Sequence, residues 1–300
     1  MRIIFMGTPD YAAVILDALL QCHTICALVC QEDKKAGRSM QLKAPATKEF
    51  LRLKDSTIPI FQPKCLDASF VAELKLLKPD RIIVAAFGKI LPKAVLDIAP
   101  CVNLHASILP KFRGASPIQQ SILEMESYFG VSVMQMQEGL DCGDILGFKV
   151  VKNTGQDAIA LFDVLAKLAG ELILEYLERI SRIQPLVQND AGASYCKKIK
   201  KEFGLVEFDN AKILATKALA YRQWPEIYLK SGLKLKALKI DSTDGVYEKG
   251  EILEITKNGI KIGCAEGSLW ITMVQVPSKK ATEAYAYAQG KHLKVGDILE

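Results

Sequence analysis

The chain has 300 residues, of which 50% are hydrophobic and 24% are charged, a composition typical of a folded globular protein. This length suits two domains and is large enough to bury a core without disulfides or a structural metal. No run approaches about 18 consecutive apolar residues, and the N-terminal residues lack the pattern of a signal peptide. We therefore expect a cytoplasmic protein without a membrane span.

The eight cysteines are scattered along the sequence, and none forms a Cys-x-x-Cys pair. The three histidines are too few to complete a zinc site of the finger type. Cys22, Cys26 and Cys30 are evenly spaced, but the segment around them alternates like a strand. We interpret them as small apolar residues in a reducing compartment and expect no bound metal.

The net charge of +5 is unevenly distributed along the chain. Residues 196–300 contain 18 Lys and Arg against 13 Asp and Glu, so the whole excess lies in the last third. This asymmetry favours an anionic partner for the C-terminal part, such as a nucleic acid. A surplus of this size also suits an ordinary solubility surface, so charge alone leaves both interpretations open.

In the first 189 residues, apolar strands alternate with amphipathic helices. Predicted strands cover residues 2–6, 25–30, 58–61, 81–86, 102–105, 130–136 and 148–152, and predicted helices cover residues 11–20, 46–54, 70–77 and 158–183. The strands are too continuously apolar to have one face in water, which favours a largely parallel sheet covered by helices on both sides. Residues 1–189 are therefore predicted to form a doubly wound, Rossmann-like α/β domain.

The turn after the first strand lacks the dinucleotide fingerprint found in many such folds. That fingerprint is Gly-x-Gly-x-x-Gly, in which successive glycines let the backbone approach a pyrophosphate. Here Gly7 is followed by Thr8, Pro9 and Asp10. Pro9 lacks the amide that would face an anion and Asp10 adds a repelling charge, so we exclude NAD as a ligand of this turn.

Beyond residue 189 the chain changes character. Residues 190–206 are polar, carry a basic cluster at 197–201 and are interpreted as a linker. A predicted helix at 211–223 precedes short predicted strands at 227–229, 233–240, 250–255, 259–264 and 268–276. Glycine-containing turns separate several of these strands, as in hairpins. Residues 207–300 are therefore predicted to form a small antiparallel β-barrel that resembles an OB fold.

Three polar residues lie at predicted strand ends or loops of the α/β domain. Asn103 and His105 are two positions apart in one strand and therefore share a face. Asp141 lies in a glycine-rich loop that could reach the same edge of the sheet. In acyl transfer to an amine, His105 could relay a proton, Asn103 could bind the oxyanion of the tetrahedral intermediate, and Asp141 could orient His105. Each residue also has a purely structural interpretation, as a turn residue or a buried histidine.

Five segments occur in an order that resembles one known family. They are Phe-Met-Gly-Thr-Pro-Asp-Tyr-Ala-Ala at 5–13, Ala-Phe-Gly-Lys-Ile-Leu-Pro at 86–92, Asn-Leu-His-Ala-Ser-Ile-Leu-Pro at 103–110, Arg-Gly-Ala-Ser-Pro-Ile-Gln at 113–119 and Gly-Leu-Asp-Cys-Gly-Asp at 139–144. The chain is similar to the methionyl-tRNA formyltransferases, which belong to the formyltransferases that use 10-formyltetrahydrofolate. The resemblance implies transfer of a formyl group to the α-amino group of methionyl initiator tRNA, for translation initiation.

The resemblance also implies roles for individual residues. Asn103, His105 and Asp141 would be catalytic. The cosubstrate 10-formyltetrahydrofolate would be bound around the 137–141 loop and by Phe87, Gly88, Ile90, Leu91, Ser107, Ile108, Leu109 and Pro110. Residues 31–48 match a loop that enters the acceptor-stem groove, where Arg38 would read the first base pair. Contact with the acceptor arm is implied for Lys34, Lys35, Arg38, Lys43, Lys198 and Lys201, and the protein is expected to act as a monomer.

Two features depart from the family pattern. The usual Asn-Pro-Trp-Pro becomes Arg-Gln-Trp-Pro at 222–225, and the family's second barrel tryptophan is replaced in Lys-Ala-Leu at 236–238. These changes concern single tRNA contacts rather than formyl chemistry. Rival interpretations are a formyltransferase for glycinamide ribonucleotide or a sugar nucleotide, a formylfolate hydrolase, and an RNA-binding protein with an inactive α/β domain. Chain length argues against a glycinamide ribonucleotide enzyme, and the basic 34–48 segment argues against a sugar-nucleotide enzyme and a hydrolase. The intact set of Asn103, His105 and Asp141 argues against an inactive RNA-binding protein.

Overall fold

The computed structural model describes residues 1–36 and 40–300 of the chain. Its strands and helices, in chain order, are β1 (Arg2–Gly7), α1 (Asp10–Cys22), β2 (Thr24–Val29), β3 (Lys34–Ala36), β4 (Gln41–Lys43), α2 (Ala46–Lys54), β5 (Ile60–Phe61), α3 (Ala68–Leu76), β6 (Arg81–Ala85), α4 (Lys93–Leu96), β7 (Cys101–His105), β8 (Arg113–Gly114), α5 (Pro117–Leu123), β9 (Tyr128–Gln135), β10 (Ile145–Lys152), α6 (Ala158–Arg179), β11 (Tyr195–Cys196), α7 (Ala211–Ala220), β12 (Lys234–Ser242), β13 (Ile252–Thr256), β14 (Gly259–Gly263), β15 (Ser268–Gln275), β16 (Thr282–Glu283) and α8 (Ala284–Lys291). Within these described residues, no helix is long and apolar enough to cross a membrane.

The chain divides into two compact units. Residues 1–117, 128–152 and 162–196 form the first, and residues 118–127, 153–161 and 197–300 form the second. The predicted division into an α/β domain at 1–189, a linker at 190–206 and a C-terminal domain at 207–300 stays a prediction.

The first unit is built on a seven-stranded sheet with the order β10-β9-β7-β6-β1-β2-β5. The five strands from β7 to β5 run parallel, whereas β9 and β10 are antiparallel additions at one edge. In β1 and in β2, every residue after the first is buried, as expected of parallel strands covered on both faces. The mostly parallel sheet confirms the predicted α/β class.

One buried hydrophobic cluster fixes the loop that leaves β6. Ile4 and Val84 contribute to it from the sheet, and Phe70 and Leu74 contribute from α3. Phe87, just beyond β6, belongs to the same cluster. Fully burying a side chain of this size stabilises the fold by about 1.5–3 kcal/mol, so this part of the loop is firmly held.

The second unit contains a five-stranded antiparallel sheet. Strands β12, β15, β14 and β13 are neighbours in that order, and β16 pairs with β15. The antiparallel sheet agrees with the class predicted for the C-terminal part. The strand predicted at 227–229 is wrong, because Tyr228 forms isolated bridges with Leu205 and Lys234 instead of a ladder.

Some helices also differ from their predicted limits. The helix predicted to reach residue 183 ends at Arg179 and continues as a 3-10 turn. The helix predicted to reach residue 223 ends at Ala220, and the proline at 225 disfavours helical backbone before it. Helix α8 escapes prediction because Ala-Tyr-Ala-Tyr at 284–287 alternates with the period of a strand, although alanine favours a helix.

Candidate active site

Strand β7 carries the first two candidate catalytic side chains to the carboxyl end of the parallel strands. Asn103 is half-buried, and His105 is buried with 5% of its surface exposed. Strand β7 lies between β6 and β9, where Asn103 pairs with Met134 and His105 with Ser132. Because side chains alternate along a strand, both residues point to the same face of the sheet.

The loop between β9 and β10 brings Asp141 to the same place. Asp141 has a left-handed backbone with φ of 49°. Two residues later, a Cβ atom on Gly143 would lie 1.8 Å from the carbonyl oxygen of Gln135, so this close approach requires glycine. This tight loop connects β9 to β10, and these two strands pair as antiparallel neighbours.

The three candidate catalytic side chains converge through the Asp141 carboxylate. Its Oδ2 lies 3.7 Å from Nδ1 of His105 and accepts a hydrogen bond of 2.9 Å from the backbone amide of Gly114. Its Oδ1 accepts a long hydrogen bond of 3.5 Å from Nδ2 of Asn103. The structure therefore brings together the residues that the sequence singled out, while their catalytic roles stay a prediction.

The second ring nitrogen of His105 has a backbone partner. Nε2 lies 2.8 Å from the carbonyl oxygen of Phe112. A carbonyl oxygen can only accept, so Nε2 carries a hydrogen and donates it, whether the imidazole is neutral or charged. Nδ1, which faces Asp141, is therefore the nitrogen that can gain and lose a proton. At 3.7 Å, an imidazolium and a carboxylate attract each other by about 4 kcal/mol at an effective dielectric constant of about 20.

The predicted folate segment after β7 is held largely by its own hydrogen bonds. Ser107 is buried, and its hydroxyl donates to the carbonyl oxygen of Lys111 at 2.6 Å. The Ser132 hydroxyl donates to the Ser107 carbonyl at 2.8 Å and accepts from the amide of Leu109 at 3.1 Å. The Leu109 side chain is buried, whereas Ile108 and Pro110 are half-buried. Ser107 and Leu109 thus shape this segment from inside.

The predicted folate segment after β6 has a buried and an open side. Phe87 and Leu91 are buried in the hydrophobic core, whereas Ile90 is 87% exposed. Gly88 is exposed with φ of 82°, and a Cβ there would find its nearest atom, of Gln31, at 3.8 Å. The Phe87 carbonyl accepts hydrogen bonds from the side chains of Gln31, at 3.0 Å, and Thr8, at 3.2 Å.

These contacts lie at the switch point of the sheet. Strand β1 has β2 on one side and β6 on the other, and the bond between Thr8 and Phe87 links the loops after β1 and β6. Crevices outside the carboxyl ends of strands at such a point are the usual ligand sites of open α/β sheets. The exposed backbone at Gly88 and the apolar side chain of Ile90 suit a flat ligand with polar edges.

A network around Arg113 supports the Asp141 loop and was not predicted. The Arg113 side chain is 2% exposed, and its Nε donates to Oε1 of Gln188 at 3.0 Å. Burial alone would lower the pKa of Arg113, but hydrogen bonds with Tyr195 and Asp190 outweigh burial and raise it. Gln188 in turn donates to backbone carbonyls of the Asp141 loop. The sequence offers only a polar stretch without periodicity here, which reveals no partner.

The predicted RNA contacts of the first unit lie partly on an exposed hairpin. Lys34 and Lys43 are cross-strand partners of β3 and β4, and both are exposed, as is Lys35. Arg38 lies outside the described residues. Lys48, counted in the sequence as part of this basic segment, is buried and bonded to Asp33 at 2.8 Å, so it adds no free charge to the hairpin.

The other predicted RNA contacts lie in the second unit. Lys198 and Lys201 are exposed. Whether they bind RNA stays a prediction. In the part of the chain that the structure describes, no group of three or more His, Cys, Asp and Glu side chains is arranged to hold a metal ion.

Known proteins match the whole chain. A family model described as formyl transferase matches residues 1–173, and a model of the formyl transferase C-terminal domain matches residues 198–292. A relative from a Nitratiruptor species, named methionyl-tRNA formyltransferase, is 50% identical over 100% of both chains. One of the same name from Wolinella succinogenes is 51% identical over 99% of both. The chain belongs to the methionyl-tRNA formyltransferase family. Membership confirms the prediction of a formyl-transferring enzyme.

Two solved structures share the fold of this family member. HypX from Aquifex aeolicus in complex with tetrahydrofolic acid has a TM-score of 0.65 and 19% identity. The match covers 98% of this chain but 48% of HypX, so the chain spans about half of that protein. A sugar 3N-formyltransferase, determined in the presence of dTDP and 5-N-formyltetrahydrofolate, has a TM-score of 0.68 and 17% identity, over 93% of this chain and 99% of that one. At such identities the likeness concerns the fold alone.

Proposed function

We propose that this protein transfers the formyl group of 10-formyltetrahydrofolate to the α-amino group of methionine on initiator tRNA. The convergence of Asn103, His105 and Asp141 in one site carries the proposal. Support also comes from two relatives of that name, each about 50% identical along the full chain. The enzyme works in the cytoplasm as a monomer, on the acceptor arm of its tRNA.

His105 moves the proton in this reaction. Formylfolate supplies an acyl group on nitrogen, and the amino group of the methionine attacks it. Because Nε2 is engaged with Phe112, the proton that the attacking amine loses goes to Nδ1 of His105. Asp141, 3.7 Å from Nδ1, stabilises the positively charged ring of His105. His105 then returns the proton to the departing nitrogen of the folate.

Asn103 supports the negative charge of the transfer. One of its two Nδ2 hydrogens points to Asp141, which fixes the amide, and the other is free to donate to the oxygen that becomes negative. Donors that are already oriented stabilise such an oxygen without rearranging during the reaction. Removing one donor of this kind costs about 100- to 1,000-fold in kcat.

The folate binds at the switch point of the first unit. The exposed backbone at Gly88, the exposed side chain of Ile90 and the 137–141 loop offer polar and apolar contacts to the pterin. Phe87, Leu91, Ser107 and Leu109 fix these segments from the buried side, while the half-buried Ile108 and Pro110 are available to the folate.

The tRNA is held by basic groups of both units. Lys34, Lys35 and Lys43 of the hairpin face solvent and are available to phosphates, while Arg38 reads the first base pair. Residues 207–300 form the tRNA-binding domain, and residues 190–206, with Lys198 and Lys201, lead into it. The excess positive charge of residues 196–300 supports this assignment.

The test is incubation of the full chain with 10-formyltetrahydrofolate and a panel of aminoacyl-tRNAs, followed by detection of N-formyl product. Methionyl initiator tRNA is the expected preferred substrate, and Arg38→Ala is expected to weaken this preference more than folate affinity. His105→Ala and Asp141→Ala should each abolish turnover while tRNA binding persists. Equal turnover of initiator and elongator species, or near-normal activity of either catalytic variant, would contradict the proposal.

A further inference from the structure

Residues 186–196, which follow α6 and its 3-10 turn, contact the loop that carries Asp141 and the backbone at Phe112, which bonds to His105. We propose that this segment positions the active site and that Gln188 is its main positioning residue, acting through the loop that carries Asp141. The inference rests on the proposed catalytic roles of Asn103, His105 and Asp141. Gln188 itself touches no reacting group, so it acts only through its hold on this loop.

Gln188 bridges the Asp141 loop with a single amide group. The residue is 8% exposed, and its Nε2 donates to the carbonyl oxygen of Asp141 at 3.0 Å and to that of Gly143 at 2.7 Å. The two Nε2 hydrogens can thus serve two carbonyls, one at each side of Cys142. The bridge fixes the backbone on which the Asp141 carboxylate is mounted.

Arg113 sets the orientation of this amide. Its Nε can only donate, so the oxygen of the Gln188 side chain must face Arg113 and the nitrogen must face the loop. The next residue, Gly114, donates its backbone amide to the Asp141 carboxylate at 2.9 Å. The Arg113–Gly114 pair thus contacts the loop twice, through Gln188 to its backbone and directly to its carboxylate.

The same segment supports His105 from the other side. The hydroxyl of Ser194 accepts from the amide of Phe112 at 2.9 Å, and the Ser194 carbonyl accepts from the amide of Arg113 at 2.8 Å. Strand β11, the end of the segment, pairs with β8. The Phe112 carbonyl, which receives the Nε2 hydrogen of His105, is thereby fixed in place.

The Asp141 loop needs such support because its backbone is strained. A left-handed φ at a residue other than glycine persists only where surrounding contacts over-determine it. Asp141 has a φ of 49°, and residues 138–140 before it are exposed to solvent. Loss of the Gln188 bridge would let the loop relax and would shift the carboxylate relative to Nδ1 of His105.

The decisive variant is Gln188→Glu. A glutamate keeps an oxygen for Arg113 but lacks the two hydrogens that hold the loop. We expect kcat to fall about 10- to 100-fold, because a misplacement of about 1 Å can cost about 100-fold, while the KM for tRNA stays within about two-fold. Gln188→Ala should behave alike and serves as the second variant if the glutamate perturbs folding, which thermal unfolding reveals.

The matched control is Gln184→Glu. It makes the same substitution at an exposed position that precedes the 186–196 segment, so kcat should stay near that of the unaltered enzyme. A positioning role also predicts that Gln188→Glu has no further effect once Asp141→Asn is present, measured as single-turnover formylation. An unchanged kcat for Gln188→Glu, or a full additional loss in the Asp141→Asn background, would overturn the inference. Near-normal activity of Asp141→Asn itself would instead contradict the proposed function.

Discussion

The closest backbone approach at the active site predicts a large effect of one methyl group. In Gly143→Ala, the new Cβ would lie 1.8 Å from the Gln135 carbonyl oxygen, and that distance must lengthen to at least 3.0 Å. The strain should cost about 1–3 kcal/mol of unfolding free energy, as overpacked sites do. If the displacement moves Asp141 from 3.7 Å to about 5 Å from His105, their attraction weakens by about 1 kcal/mol at an effective dielectric constant of about 20. This alone slows turnover about six-fold, and misplacement can extend the loss to about 100-fold.

The assay is the formylation rate of methionyl initiator tRNA at saturating formylfolate, together with urea unfolding of the same preparation. The control is Gly290→Ala in α8, where a Cβ meets no atom within 4 Å. Alanine favours a helix over glycine by about 0.5–1 kcal/mol, so this variant should be as active as the unaltered enzyme and slightly more stable. A Gly143→Ala enzyme with unchanged kcat and unchanged stability would refute the steric reasoning.

Three further predictions concern stability, acid and salt. In α2, Leu51→Ala should lower the free energy of unfolding, measured with urea, by about 2–5 kcal/mol because Leu51 is fully buried. Leu53→Ala, at an 89% exposed position of the same helix, should change this free energy by less than about 0.5 kcal/mol. Similar losses for the two variants would refute the burial argument. Burial alone would raise the pKa of Glu226, but hydrogen bonds from Lys234 and Lys236 lower it below the usual 4.5. The stability that these bonds confer is present above pH 4.5 and is lost as the pH falls through the lowered pKa, so Glu226→Gln should flatten the acid side of a stability-against-pH curve, and an equally steep curve would contradict the pairing. Lys34→Ala and Lys43→Ala should each reduce the slope of log tRNA affinity against log salt concentration by about 1. Lys75→Ala, at an exposed position of α3, should leave this slope unchanged. Equal slopes for all three variants would exclude the hairpin as a phosphate contact.

Much of the first unit follows from local patterns. Continuous apolar runs such as those of β1 and β2 predict strands buried on both faces, and alternation with helices predicts a parallel sheet. Asn103 and His105 could be paired from the sequence, because positions two apart in a strand always share a face. These features depend on chain geometry that each segment carries by itself.

Other features depend on contacts between segments distant in sequence. Gln188 is separated from Asp141 by 47 positions, and Lys48 is buried only because Asp33 and Gln62 surround its ammonium group. Helix α8 forms although its side chains alternate like those of a strand. A residue's own type does not reveal which partner will satisfy it, since a polar side chain is equally compatible with water and with a buried acceptor.

The amino-acid sequence alone determined the class of the sheet, the family and the three residues expected to act on the substrate. The tertiary structure decided which ring nitrogen of His105 can exchange a proton. Nε2 is engaged by the carbonyl of Phe112, and only folding brings this carbonyl, seven positions along the chain, next to the ring. It also decided what holds Asp141 in its left-handed conformation, since hydrogen-bond partners are selected by distance and burial in space and not by order along the chain.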